Sequence, residues 1–247
     1  MPVLSRADAA LQAQVGEYLD LVMHCGVLFR SGLGLYLQDR PDEFHSRLEE
    51  LRAVEQQVGE SRRAMARRTG RPIFSRRSLD SLAECLGRTD RIIRLMTATL
   101  LEYAVEQPEP VLEGNAVLLE LAESSRHTVD AMADALRAHL LVSTDEGDRA
   151  DAVRRAHEDT RRLGEQYKRM IFRLDLRLSH KNQLRHFADA VMSIADAAVE
   201  AASRVIASRG SRSVSFGDWA FGGTASGWLA ISILAVALGA VLTFAAG

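Results

Sequence analysis

The sequence predicts an all-α protein, two repeated three-helix bundles followed by a C-terminal transmembrane helix, and three observations carry that expectation. Apolar residues recur at three- and four-residue spacing through six long segments, as in Leu184, Phe187, Val191, Ile194, Ala198, Ala201 and Val205, the pattern of a helix that buries one face. The internal prolines, Pro41, Pro72, Pro108 and Pro110, fall between those segments, where a missing N–H and a fixed φ cost least. The last 29 residues, Trp219 to Gly247, carry no charge.

Taken in order, the first helix is expected from about Asp8 to Leu37, stopping before Asp39 and Pro41. A second starts at Pro41, a favoured first-turn residue, and runs to about Arg68 before Gly70 and Pro72. The third begins after Ser75, with Ser75 or Ser78 as its cap, and continues to Glu106. Helix four is expected over Val111–Leu141, helix five over Asp148–Leu174 and helix six over His180–Ser208. A Gly/Ser-rich linker, 210–226, leads to the tail, 227–247. As a helix those 21 residues would measure about 31 Å, the thickness of a bilayer's hydrocarbon core.

Composition narrows the function. Net charge is −2, which argues against nucleic acid as a partner. Cys25 and Cys85 are isolated and lack CxxC spacing, so they read as reduced core thiols. The histidines form no ligand pairs at helical spacing, and no nucleophile elbow, catalytic triad order or phosphate loop stands out. The expectation is a protein that is not an enzyme.

The helices read as two copies of three, residues 8–107 and 108–209. Val58, Gly59 and Glu60 return as Leu163, Gly164 and Glu165, 105 residues on. The same offset pairs Arg63 with Lys168, Met65 with Met170 and Arg68 with Arg173, and Leu86 and Asp90 match Met192 and Asp196 at an offset of 106. From Val15 to Arg209 the chain resembles the PhoU-like phosphate-transport regulators, in the standalone branch associated with Pit-type transporters. The resemblance is strongest in Leu51 to Glu55, Pro72 to Arg76 and Leu79 to Asp90. It implies two pseudo-repeated three-helix bundles, an adaptor role at a phosphate transporter, and, in some members, an iron or zinc cluster held by acidic pairs four residues apart.

Four-residue spacing sets two carboxylates on one helical face, where neighbouring helices can share a cation. The matching positions here are Glu55 with Gly59, Leu86 with Asp90, Thr160 with Gly164, and Met192 with Asp196. Only Glu55, Asp90 and Asp196 keep an acid, too few for a multinuclear cluster, so no metal cofactor is expected. The competing reading makes those acids partners of nearby arginines.

The densest basic stretch is Arg62, Arg63, Arg67, Arg68, Arg71, Arg76 and Arg77. It suits either a solvated helix end or contact with an acidic partner or anionic lipid headgroups. In the tail, Ala235, Gly239 and Thr243 make one smooth side for packing on another transmembrane helix, a partner's or a second copy's. Trp219 and Trp228 suit the headgroup level. Arg204, Arg209 and Arg212 precede the tail and nothing basic follows it, so the body is expected in the cytoplasm with the chain as a single-pass tail anchor. The function expected is a membrane-anchored adaptor of a phosphate transporter. The alternative is a membrane-tethered scaffold with no phosphate or metal role, and metal or ligand sensing stands third.

Overall fold

Short polar breaks between long amphipathic runs make a protein of helical hairpins, and the computed structural model describes residues 6–69, 76–140 and 146–210. Six helices fill those stretches: α1 (Arg6–Leu37), α2 (Pro41–Thr69), α3 (Arg76–Glu106), α4 (Leu112–Leu140), α5 (Glu146–Arg173) and α6 (Leu178–Gly210). Each boundary lies within about two residues of the sequence expectation, the range over which helix ends fray. The linker and apolar tail lie outside the described residues. No helix among the described residues is long and apolar enough to cross a membrane.

Two turns without glycine set the hairpins. Asp39 takes a left-handed φ of 56° and Gln107 one of 44°, a conformation in which a β-carbon is crowded. Asp39 N–H bonds the Tyr36 carbonyl and Arg40 N–H that of Leu35, while Gln107 N–H bonds Tyr103. These bonds satisfy carbonyls left open at the ends of α1 and α3.

Met1–Ala207 form one compact unit and Ser208–Gly247 a second. α1 packs against α2, α3 and α4, and α4 packs against α5. Its buried Val15, Tyr18, Leu19, Val22, Cys25, Leu28, Phe29 and Leu33 follow helical spacing. In α6 the expected stripe holds through Ala201, with Leu184, Phe187, Val191, Ile194, Ala198 and Ala201 all buried. Full burial of each larger side chain contributes about 1.5–3 kcal/mol.

The α1–α2, α3–α4 and α5–α6 turns gather at one end of the bundle. Tyr36 Oη donates to the Pro108 carbonyl at 2.8 Å, and His180 Nε2 lies 2.9 Å from that of Glu109. Rings join the same elements: Tyr36 meets Phe44 at 5.3 Å and Tyr103 at 4.9 Å, and Tyr103 meets Phe187 at 4.1 Å. Since helices alternate in direction, α2, α4 and α6 all finish at the opposite end.

Candidate functional site

The acidic faces implied by the resemblance lie where α2 meets α3 and where α5 meets α6, and each is occupied by the chain's own side chains. On α3, Asp90 is spent twice. Its Oδ1 accepts from the Tyr18 hydroxyl of α1 at 2.9 Å, and its Oδ2 faces Arg62 Nε of α2 at 2.8 Å. The same hydroxyl oxygen stands 3.1 Å from the Leu86 carbonyl oxygen, so its one proton is shared between the two acceptors or given to the nearer carboxylate. Tyr18 is fully buried, and burial, reinforced by the Asp90 charge, pushes its pKa far above that of a free phenol. A neutral hydroxyl donor and a guanidinium therefore satisfy Asp90. Glu55 is half-buried on α2, and burial foremost, then its charge, raise the Cys25 thiol to about 12.

At α5 and α6 the corresponding positions are apolar and hydroxylic. A β-carbon at Gly164 would overlap the Met192 thioether and come within 2.9 Å of its Cγ, so Met192 lies in the notch that glycine leaves. One turn earlier Thr160 is fully buried. Its Oγ1 stands 2.9 Å from Ser124 Oγ and 3.2 Å from Thr128 Oγ1 of α4, while it donates to the Ala156 carbonyl at 3.0 Å. Asp196 pairs with His157 at 2.6 Å.

A multinuclear metal cluster does not fit these residues. Such a site needs several free oxygen donors converging on each ion, whereas Asp90 holds a guanidinium, Asp196 an imidazole, and Gly164 a thioether. Among the described residues, no group of three or more His, Cys, Asp or Glu is gathered as ligands would be. Tyr18, His157, the Ser124–Thr128–Thr160 hydroxyls and the Met192 seat were not foreseen. The four-residue step from Ser124 to Thr128 marks one helical face, but nothing in sequence says that a third hydroxyl faces it.

The basic stretch divides. Arg62 turns to Asp90 rather than standing ready for a partner, whereas Arg63 and Arg67 are exposed on the last turns of α2. The side chains of Arg68, Arg71, Arg76 and Arg77 lie outside those described, as do Ala235, Gly239 and Thr243 of the tail. Both cysteines are buried and free; burial raises the Cys85 thiol to about 12 as well, which removes the thiolate needed for nucleophilic chemistry.

Two clefts open at the turn end. One of 540 Å³ has Tyr36, Phe44 and Tyr103 among its lining residues and Pro110 and Leu112 beside them. The other, broader and more polar, is bordered by Glu106, Glu109, Asp175, Arg177, His180 and His186. Gln107 lines both.

Neither a family model nor a curated protein matches the sequence, but solved structures do. One is a PhoU-like protein from Shewanella oneidensis MR-1, with a TM-score of 0.72 and 17% identity, covering 79% of this chain and 97% of that one. Another, from the same organism and described as a PhoU-like phosphate regulatory protein, has a TM-score of 0.70 and 18% identity, covering 80% and 97%. At such identities the likeness speaks for architecture alone: the described residues form a PhoU-like all-α fold of six helices.

Proposed function

We propose that the protein is a non-enzymatic helical regulator of inorganic phosphate transport, held at the cytoplasmic face of the membrane by its apolar C-terminal tail and acting by binding a membrane protein, the transporter itself. The observation that carries this reading is the fold likeness, which spans 97% of a chain described as a phosphate regulatory protein. The uncharged stretch from Trp219 to Gly247 supports the tether, being long enough for one bilayer crossing.

Metal plays no part in this reading, because two of the three acids that would hold it are committed, Asp90 to Arg62 and Tyr18 and Asp196 to His157, and Glu55 by itself is too few donors for a cluster. Those same commitments favour the second reading, a tethered scaffold that has kept the bundle and left phosphate behind. Phosphate uptake separates the two. Cells lacking the protein should take up inorganic phosphate abnormally, and the full chain should restore uptake while a chain ending at Ser215 should not. Wild-type uptake in the deletion strain, in both phosphate-rich and phosphate-poor medium, would leave only the scaffold. Elemental analysis adds an independent check. Protein purified from metal-replete cells should carry little iron or zinc, and a stoichiometric ion lost in the Asp90→Asn/Asp196→Asn variant would overturn the metal-free mechanism.

A further inference from the structure

We infer that the turn end of the bundle is a docking surface for a basic, apolar-anchored segment of a partner protein. Leu112 is 86% exposed, Val105 74% and Leu178 66%, and Phe172 is also exposed. These four account for most of the large apolar side chains left in solvent among the described residues, and all lie on the last turn of α3 or α5 or the first of α4 or α6. Beside Leu112 opens the 540 Å³ cleft, of a size that takes one or two large side chains. Its walls are held by the Tyr36–Tyr103–Phe187 ring contacts and by the Tyr36 bond to Pro108. The cleft is thus built before any partner arrives, which lowers the cost of ordering on binding.

Charge selects the occupant. Segments 38–45, 105–115 and 172–183 carry seven acids against four bases. Arg40 and Glu43 pair with each other, which leaves six acids against Arg173, Arg177 and Lys181, and the Lys181 ammonium is drawn to the Phe172 carbonyl. Glu106, Glu109 and Asp175 stand exposed around the polar cleft. An acidic rim repels nucleic acid and anionic lipid, and a second copy would bring acid against acid. The chain's own tail is uncharged from Trp219 onward, so it offers the rim no complement. A segment with aliphatic or aromatic anchors flanked by lysine or arginine answers both features. The inference does not depend on which membrane protein, if any, the chain regulates.

The test uses full-length protein and three photo-crosslinking peptides: a leucine/lysine amphipathic helix, its leucine/glutamate counterpart, and a lysine peptide without leucine. The leucine/lysine peptide should bind, with adducts mapping to the α3–α4 and α5–α6 turns, and the other two should bind far more weakly. Leu112→Ser with Val105→Ser should weaken binding about tenfold or more, as loss of a central anchor does. Glu106→Gln with Glu109→Gln should weaken it and flatten its salt dependence. Val27→Ser, the same kind of change at an exposed apolar residue of α1, should leave it intact. Equal binding of the leucine/glutamate peptide, adducts spread over the bundle, no binding at all, or indifference to the Leu112 and Val105 changes would each overturn the inference.

Discussion

Gly59 and Gly164 occupy matching places in the two halves of the sequence, yet their surroundings demand opposite things. A β-carbon at Gly59 would meet nothing within 4 Å. Gly59→Ala should therefore stabilise the protein by about 0.5–1 kcal/mol, the helix-propensity difference between the two residues. At Gly164 the added carbon would run into Met192 Sδ and Cγ, and overpacking of this kind costs about 1–3 kcal/mol. Urea denaturation of both variants checks the pair, and Gly164→Ala combined with Met192→Ala should recover part of the loss. Equal shifts in the two single variants would mean that Met192 does not rest in the glycine's notch. The thiols are a second residue-scale case. Both have pKa values raised from 9.0 to about 12, so the folded chain keeps protons that the unfolded chain releases across that window. Their contribution to stability falls as pH rises from about 9 to about 12. At pH 8 a thiol reagent should label neither cysteine until the chain unfolds; rapid labelling under native conditions would contradict their burial.

Between elements, the contacts that matter most are those joining α1 to α3 and α4 to α5. Tyr18 is the pivot of the first. Tyr18→Phe removes a buried hydroxyl bonded to a charged partner and should cost about 1.5–3 kcal/mol. Arg62→Ala should cost less, below about 1 kcal/mol, because the Arg62 side chain is 45% exposed and solvent screens the pair. A larger loss from Arg62 than from Tyr18, measured by chemical denaturation, would reverse that ranking. The helices themselves were legible because each has one clear apolar face and a break on either side. Pro41 and the pair Pro108 and Pro110 marked two hairpins, yet the left-handed residues that close them are Asp39 and Gln107, which turn chemistry alone does not single out. The arginine stretch was legible as charge and illegible as contact. Arg62 points about 100° around the helix from its neighbour Arg63 and meets Asp90 across the α2–α3 seam, a residue 28 positions away in sequence.

For the molecule as a whole, the division at Ala207 and Ser208 yields a direct expectation. A chain ending at Ser215 should stay folded, soluble and helical, with its cooperative unfolding transition close to that of the full chain. The reason is that every buried side chain described lies before that point. Aggregation of the shortened chain, alongside good behaviour of the full one in detergent, would make the tail part of the core. Charge is distributed unevenly along the sequence: the segment 60–77 holds seven arginines and one acid.

Helix order and limits among the described residues, the identity of the α6 stripe, and the lack of a carboxylate at Gly59, Gly164, Thr160, Leu86 and Met192 were all determined by the sequence itself. Each is a local property, set by periodicity, breakers and side-chain identity within a few turns. Tertiary structure alone decided what meets at those positions and at the acids beside them. Arg62 against Asp90, Met192 in the notch of Gly164, the hydroxyls of Ser124, Thr128 and Thr160, and His157 against Asp196 all join different helices. Which residues meet across a helix pair depends on its crossing angle and axial stagger, set by packing along the whole interface. The gathering of three distant turns into one apolar, acid-rimmed end has the same origin, because only the closed bundle brings residues 36, 108 and 180 together.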